Sequence, residues 1–316
     1  SASAQNIDVN TTNNINPLNE VLIDETIATS NELTNKSSII SNDLEKYYKD
    51  DKGFCATFYN ENGTPLTNKN ITFSVNGVSY IKTTDNNGTA KLNINLESGN
   101  YTIISYNPTT NETITNNITV LSSINGNDLT KYFKNATQYS VTLYDKTGKA
   151  LVNKTVRFNI NGIFYERKTN EKGVVQLNIN LDPGNYIVTV YNLITGEEKS
   201  NNINVVSRIQ LLDLNNASNV ILPEGYVIPV MFIGNGKAYA QCRATTLDEK
   251  GNPLANQLVT FNINGIIYKG TTDKFGIIDA IIYVNADWGN TYHICTATFG
   301  ESFASQTVIV KRFVMG

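Results

Sequence analysis

The sequence has few charged residues. Asp, Glu, Lys and Arg make up 17% of its 316 residues, and the formal net charge is −3, whereas a typical soluble domain carries about 25% charged residues. A protein that binds nucleic acid or an acidic membrane needs clustered Lys and Arg, so partners of these kinds are excluded. Asn, Thr and Ser supply the missing polarity, and this neutral polar composition suits an extracellular β protein.

Histidine and cysteine are also scarce. The chain has one His, His293, and three Cys, which cannot form a zinc site of the usual ligand spacing. His293 and Cys295 share one face of a predicted strand, yet no motif for an oxyanion hole or a shaped cleft accompanies them. We therefore expect no catalytic residue, no metal and no cofactor, and we predict that the protein is not an enzyme.

Long apolar runs are missing as well. The most apolar stretch, residues 220–233, is short and is interrupted by Pro223, Glu224 and Pro229, so no transmembrane segment is expected. No 3.6-residue hydrophobic period is sustained, so helix should be minimal. The first residues, with Ala2 and Ala4, are similar to the small-residue end of a secretory signal, and an ordinary small-residue terminus or a cloning scar is the alternative.

One strand–turn–strand phrase occurs three times, at residues 73–80, 158–165 and 261–268. Each copy places Asn-Gly between alternating apolar residues, and Asn-Gly favours a type I′ hairpin because both central residues need a positive φ. Three copies predict three homologous β domains in tandem. We place them at 44–122, 123–207 and 208–316, after an extended arm over residues 1–43.

The repeats keep a fixed spacing. The first two align without a gap at an offset of 85 residues, and residues 43–49 (Asp-Leu-Glu-Lys-Tyr-Tyr-Lys) recur at 128–134 as Asp-Leu-Thr-Lys-Tyr-Phe-Lys. Turn signals recur about every ten residues, as a β-sandwich requires. Tyr101 and Tyr186, at the start of the penultimate strand, are similar to the tyrosine corner of immunoglobulin-like sandwiches. The predicted fold class is all-β, with tandem immunoglobulin-like β-sandwiches and an extended N-terminal arm.

Parts of the chain resemble known families. The third repeat, at 245–254, 259–263, 271–276 and 292–298, resembles bacterial immunoglobulin-like repeats of the invasin and intimin type (Big-1). The first two, with Lys-Tyr-Tyr-Lys and Gly-Asn-Tyr, resemble repeats in adhesin-like surface proteins of methanogenic archaea. The resemblance covers about residues 44–312. It implies a sandwich fold and an exported, surface-exposed protein, and it brings no catalytic residues.

The cysteines raise two questions. Cys242 is predicted on the inward face of the third repeat's first long strand and Cys295 on the penultimate strand, so we predict a disulfide between them, with two buried free thiols as the alternative. Strict alternation from Tyr292 puts Ile294 inside and Cys295 outside, so the bond needs a bulge or a shifted register near Thr291. Cys55 should face outward, as an intermolecular bridge or a tolerated thiol.

The Asn-x-Ser/Thr sequons are unevenly distributed, and none follows residue 216. If they carry glycans, the first two repeats are sugar-coated and the third is free to be covered by a partner. The eleven candidate asparagines are Asn10, Asn35, Asn62, Asn70, Asn87, Asn100, Asn111, Asn117, Asn135, Asn153 and Asn216.

Recurring aspartates and lysines suggest two further kinds of site. Asp85, Asp145 and Asp248 lie in glycine-containing turns, where they either bind calcium at domain junctions or bond their own backbone. Lys46 and Lys131 recur at equivalent positions and are either surface lysines or members of a covalent Lys–Asn bond beside a buried acid.

The N-terminal arm is polar but contains an apolar segment. Val21, Ile23 and Ile27 lie on one alternating face, and they form either a stray apolar patch or a strand that pairs with an open sheet edge of another subunit. The apolar segment 208–234 is expected to form extra strands of the third domain or the groove that receives a neighbour's arm.

These features favour a non-enzymatic, extracellular structural protein at the cell surface. The leading hypothesis is a head-to-tail homopolymer that forms, or decorates, a filament by strand addition. The alternative is an adhesin whose loops bind host or partner-cell glycans or proteins.

Overall fold

The computed structural model describes residues 36–212, 222–227, 229, 231–289 and 291–314. In these ranges nearly all regular structure is β-strand. The predicted all-β fold is therefore confirmed, and the strands fall into three successive groups that follow the sequence repeats.

The first repeat contains eight strands in two sheets. One sheet has the order β1-β3-β6 and the other β2-β8-β7-β4-β5, and every neighbouring pair is antiparallel except β2 with β8, which is parallel. The strands are β1 (Ile39–Ser41), β2 (Leu44–Tyr47), β3 (Gly53–Phe58), β4 (Asn70–Val75), β5 (Val78–Thr83), β6 (Thr89–Asn93), β7 (Gly99–Tyr106) and β8 (Thr113–Leu121).

The second repeat reproduces this arrangement. Its sheets have the orders β14-β11-β9 and β10-β16-β15-β12-β13, and β10 is parallel to β16. The strands are β9 (Ile124–Gly126), β10 (Leu129–Tyr132), β11 (Tyr139–Leu143), β12 (Thr155–Ile160), β13 (Ile163–Lys168), β14 (Val174–Leu177), β15 (Gly184–Tyr191) and β16 (Glu198–Val206).

The third repeat is a variation on the same plan. Its long last strand pairs with β22 along most of its length and with β18 at its end, so one strand connects both layers. No short parallel strand comparable to β2 or β10 is found in its described residues. The strands are β17 (Ile209–Leu211), β18 (Ala238–Thr246), β19 (Leu258–Ile263), β20 (Ile266–Thr271), β21 (Ile277–Val284), β22 (Tyr292–Phe299) and β23 (Ser302–Arg312).

Each repeat has its own hydrophobic core. Alternating side chains of facing sheets bury Phe73, Phe158 and Phe261 completely at equivalent positions, and burial of such a side chain contributes roughly 1.5–3 kcal/mol. The three clusters of buried apolar residues share no member. The cores of the first two repeats therefore contain no side chain from the third.

The predicted turns form as expected. Asn76 and Gly77 have φ values of 50° and 74°, which is the double positive φ of a type I′ hairpin, and the other two Asn-Gly pairs behave alike. Tyr101 Oη donates to the Glu97 carbonyl at 2.8 Å, and Tyr186 Oη makes the equivalent bond. The tyrosine corners predicted for the first two repeats are confirmed.

The start of the first sandwich includes residues that the sequence prediction counted with the arm. Ile39–Ser41 pairs with β3, and Ile39 is 1% exposed in the first core. The paired part of this sandwich thus begins before residue 44. Residues 1–35, including Val21, Ile23 and Ile27, lie outside the described residues.

The described parts of the apolar segment 208–234 adopt two different structures. Ile209–Leu211 is a strand that pairs with β18 as β1 pairs with β3 and β9 with β11, so it is the third repeat's counterpart of those strands and not an extra strand. Residues 222–227 form no strand; instead, Tyr226 Oη hydrogen-bonds to Asp279, which also pairs with the buried Arg243. This tyrosine covers a buried ion pair on the outer side of β18 and β21, and burial together with the bond to Asp279 raises its pKa.

Within the described ranges, no helical segment has the length and hydrophobicity needed to cross a bilayer.

Candidate functional site: the joints between repeats

The recurring phrases at 43–49 and 128–134, here called the joint segments, begin with a carboxylate clamp. Asp43 Oδ1 accepts from the Asn117 backbone N–H at 2.8 Å, and its carboxylate also accepts from the Asn116 and Asn117 side-chain amides. These bonds favour the charged form and lower the pKa of Asp43. They hold the chain where it crosses from β1 in one sheet to β2 in the other. Asp128 is bonded in the same way.

A buried lysine follows in each joint segment. Lys46 is 3% exposed and Lys131 is 5% exposed. Lys46 Nζ donates to the Ile94 carbonyl at 2.7 Å, and Lys131 Nζ donates to the Ile179 carbonyl at 2.9 Å. Desolvation lowers the pKa of both lysines. Their recorded acceptors are backbone carbonyls, so the ammonium groups tie the end of the sandwich together, and the structure gives the Lys–Asn bond considered above no support.

The next residue leaves its own repeat and contacts the following one. The Tyr47 ring lies so close over Gly148 of the second repeat that a Cβ there would overlap it, and it also packs against the Tyr144 ring at 5.7 Å. At the second joint, Tyr132 lies over Gly251 in the same manner. A tyrosine on a glycine is thus the common contact of both joints.

Charged and polar groups accompany the ring contact. At the first joint Lys146 forms an ion pair with Asp51, and at the second Lys134 forms an ion pair with Glu301. Asn135 Nδ2 also donates to the Glu249 carbonyl at 2.7 Å. Both ion pairs are exposed to solvent, which screens them, so they contribute little to stability. Their main effect is to favour one relative orientation of neighbouring repeats, and they add little to the stability of the repeats.

The accepting glycines sit in turns that an aspartate organises. Asp145 Oδ1 accepts from the backbone N–H groups of Thr147 and Lys149 at 2.8 and 3.0 Å, and Gly148 has a φ of +84°. Asp248 arranges the turn of Gly251 in the same way. Asp85 likewise accepts backbone N–H groups of its own turn. All three aspartates therefore make the backbone-bonding interaction, and the described residues hold no cluster of His, Cys, Asp or Glu that could bind a metal ion.

The two core cysteines face each other. Cys242 and Cys295 are both fully buried, and their Sγ atoms are 3.2 Å apart. The expectation that strict alternation turns Cys295 outward is wrong, since Ile294 is 61% exposed and Tyr292 is 72% exposed. The residue added near Thr291 shifts the register by one, so His293 takes the place of the corner tyrosine. The disulfide stays a prediction, and Cys55 is exposed.

His293 has a structural environment at the far end of the third repeat. Its ring stacks on Trp288 at 4.8 Å, Asn264 Nδ2 lies 2.8 Å from Nδ1, and Thr291 Oγ1 lies 2.7 Å from Nε2. Both ring nitrogens are thus occupied by neutral partners.

The candidate glycosylation sites in the described residues lie on the surface. Asn70, Asn100 and Asn117 project from the outer face of one five-stranded sheet of the first repeat. Asn62, Asn87, Asn111 and Asn153 are exposed too, and Asn135 is half-buried at the second joint. Asn10, Asn35 and Asn216 lie outside the described residues.

Sequence reasoning found the joint segments but missed their role. Residues 43–49 recur at 128–134, and Gly63 recurs as Gly148 at the 85-residue offset and as Gly251 after a further 103 residues. A usable signal was present: Tyr47 and Tyr132 stand in the two repeats that another repeat follows, and Gly148 and Gly251 in the two that another repeat precedes. The contact itself joins residues about a hundred positions apart, which no local pattern reveals.

Comparisons with known proteins add little to this picture. No protein-family model matches the chain, and no protein with a curated description matches it. Among solved structures, a Ca²⁺-stabilized adhesin by which an Antarctic bacterium binds ice is 12% identical, with 89% of this chain and 74% of that chain covered and a TM-score of 0.20.

Two other solved structures are similar at the same level. One is a 1.5-MDa bacterial ice-binding adhesin, 12% identical over 88% of this chain and 98% of that chain, with a TM-score of 0.20. The other is a Bacteroides ovatus protein of a mixed-linkage glucan utilization locus bound to a heptasaccharide, 11% identical over 86% of this chain and 76% of that chain, with a TM-score of 0.23. These values carry no argument about function.

Proposed function

We propose that this protein is a non-enzymatic, extracellular structural protein, an array of β-sandwiches that assembles into or decorates a filament at the cell surface. The observation that carries the proposal is that both joints use the same contact, a tyrosine on a turn glycine with an ion pair beside it. Repeats joined at a set orientation transmit position and load along a chain, which is the task of a structural array.

Strand addition is the proposed mode of assembly. Each repeat presents an open edge strand at the end of a sheet, namely β5, β13 and β20, and an unpaired edge is a template for another strand. Val78 and Tyr80 of β5 are 52% and 40% exposed. They line a cleft of about 410 Å³ whose opposite side includes Leu92 and Ile94. An arm strand with Val21, Ile23 and Ile27 on one face would bring apolar side chains to such an edge.

The experiment is deletion of residues 1–30 from the purified protein, followed by negative-stain electron microscopy and sedimentation velocity. The full chain should form fibres or oligomers, and the deletion should leave folded monomers because the added strand is gone. Fibres that persist without the arm would show that the arm is not the coupler. A full chain that stays monomeric under all conditions would count against the filament role.

An adhesin is the second candidate, and the outer sheet face of the third repeat favours it. Leu258 and Tyr292 are 58% and 72% exposed and stand where the first repeat has the sequon residues Asn70 and Asn100. Ile267 and Ile294 on the same face are 60% and 61% exposed, and such a group of exposed apolar side chains is typical of recognition surfaces. Tyr292→Ser should then reduce binding of fluorescent protein to partner cells, while Tyr80→Ser on the first repeat should not. Equal binding by both variants would argue against this surface.

A further inference from the structure

The first repeat carries a copy of the surface that accepts a tyrosine at each joint, and no described residue covers the glycine of this copy. Residues 59–65 correspond to 144–150 and 247–253 at the repeat offsets, and each stretch is closed by the same isolated bridge, Tyr59 with Pro65 in the first repeat. We call Tyr59, Glu61 and Gly63 the entry socket. It lies where the chain enters the first repeat, at the end opposite to Tyr47.

The turn of the entry socket has the same internal bonds as the two occupied turns. Asn60 Oδ1 accepts from the backbone N–H groups of Asn62 and Thr64 at 3.0 and 2.9 Å, as Asp145 does in the second repeat. Gly63 has a φ of +74°, close to the +84° of Gly148. The backbone that receives a ring is therefore already formed.

The entry socket differs from the two occupied turns in what lies over its glycine. A Cβ on Gly148 or Gly251 would collide with a tyrosine ring, whereas one on Gly63 would have no described atom within 4 Å. Gly63 is exposed, and the two occupied glycines are half-buried. Tyr59 stands at the position of Tyr144, whose ring packs against Tyr47 at the first joint.

We infer that the entry socket binds the exit end of another β-sandwich repeat, one that presents a tyrosine like Tyr47 or Tyr132 with a basic residue beside it. The charge follows from the joints. Lys146 pairs with the acidic Asp51 of the preceding repeat, and the socket has Glu61 at the position of Lys146. Because Glu61 is acidic where Lys146 is basic, the charge preference is reversed and a basic partner is favoured.

Neither joint segment of this chain supplies the tyrosine for the entry socket. Both joint segments of this chain are already seated on Gly148 and Gly251. The last strand of the first repeat precedes the first joint and buries Val120. At the 85-residue offset, the sequence ahead of Ser38 has Asn35 in place of Val120 and so lacks this buried apolar residue. This inference goes beyond assembly through the arm and does not depend on it.

The test uses the full chain and, as a probe, residues 36–207 carrying Gly63→Ala. The probe retains the complete cores of the first two repeats, exposes Tyr132 and cannot bind itself through its own socket. Isothermal titration should show binding of the probe to the full chain. Gly63→Ala in the full chain should weaken it by about tenfold or more, because a methyl group in a packed contact costs roughly 1–3 kcal/mol.

Matched controls separate the socket from general effects. Gly77 has the same φ of +74° as Gly63, and a Cβ on it would likewise have no described atom within 4 Å. It lies at the other end of the repeat, so the Gly77→Ala full chain should bind the probe normally. A probe with Tyr132→Ala should not bind. Equal binding by the Gly63→Ala and Gly77→Ala chains, or no binding by a probe that unfolds cooperatively, would overturn the inference.

If the probe does not fold, the comparison is made within one polypeptide in which residues 38–122 are duplicated ahead of Ser38. Gly63→Ala in the downstream copy should then raise hydrogen exchange over residues 59–65 compared with the unsubstituted duplicate, and unchanged exchange would sink the idea. The full chains that are compared, unsubstituted, Gly63→Ala and Gly77→Ala, all keep the same arm, so loss of fibres on arm deletion and loss of socket binding remain separate outcomes.

Discussion

At the scale of single residues, glycine and aspartate have the clearest tasks. Gly148 and Gly251 are needed twice over, because they adopt a positive φ and because a tyrosine ring occupies the space of a side chain. Asp43 and Asp128 collect one backbone and two side-chain donors each. Both tasks can be tested by a single substitution with a control in the same repeat.

Gly148→Ala should loosen the first joint. The new methyl group displaces the Tyr47 ring, whereas Gly162→Ala in the same repeat imposes a similar φ of +78° with no described atom nearby. Both changes carry the left-handed backbone cost of about 1–2 kcal/mol. Hydrogen exchange over residues 44–52 and 145–150 should rise only in Gly148→Ala. The same rise in both variants would mean that the ring contact does not hold the joint.

Asp43 should make stability depend on pH in acid. Its hydrogen bonds lower its pKa below the unfolded value of 3.8, so the folded state gains stability above that value and loses it as pH falls through the lower, folded pKa. Asp43→Asn should be less stable at neutral pH and lose less stability between neutral pH and the region below 3.8. Urea unfolding at several pH values measures this, with the exposed Glu45→Gln as the control for loss of charge. Parallel curves for wild type and Asp43→Asn would refute the clamp.

At the scale of elements, one inserted residue changes how a strand is used. In β22 it moves Cys295 inward and Tyr292 outward relative to strict alternation, since a one-residue slip exchanges the two faces of a strand. The same shift replaces the corner tyrosine by His293. The third repeat thereby loses a conserved turn contact and gains two sulfur atoms that face each other across the sandwich.

Oxidised protein should contain a Cys242–Cys295 disulfide. The Sγ atoms are 3.2 Å apart and need to approach to about 2.05 Å. A loop of 53 residues is closed, so reduction should lower the free energy of unfolding by roughly 2–4 kcal/mol. Peptide mapping without reductant would detect the link, and Cys55, which is exposed, should react with iodoacetamide in the folded protein. Two unlinked core thiols in protein made in an oxidising compartment would contradict the prediction.

At the scale of the whole molecule, the repeats are joined in one direction. The exit ends of the first two repeats provide Tyr47 and Tyr132, and the entry ends of the last two provide Gly148 and Gly251. No described strand of the third repeat matches the parallel strands that carry those tyrosines. The described repeats therefore follow one another in one direction, and the third repeat does not present the tyrosine strand that the first two share.

Glycan occupancy should follow this polarity. Glycopeptide mass spectrometry of protein from its native source should find glycans at exposed sites such as Asn70, Asn100 and Asn153, and none after residue 216. Asn135 should be the least occupied of the described sites, because it is half-buried at the second joint, where its Nδ2 donates to the Glu249 carbonyl. An unmodified intact mass would remove the argument that the third repeat is left bare for a partner.

The sequence by itself determined the sandwiches. In-and-out alternation fixed the inward side of Phe73, Phe158 and Phe261, and the Asn-Gly pairs fixed the hairpins, because both are local effects of side-chain spacing and backbone φ. The joints, the register of Cys295 and the burial of Lys46 were decided only by the tertiary structure. Each of these depends on a partner that is distant in the chain. A tyrosine ring lies on a glycine of the next repeat, and the register of Cys295 is set by pairing with β19. The Lys46 ammonium group bonds to carbonyls of two segments, residues 50–52 and Ile94.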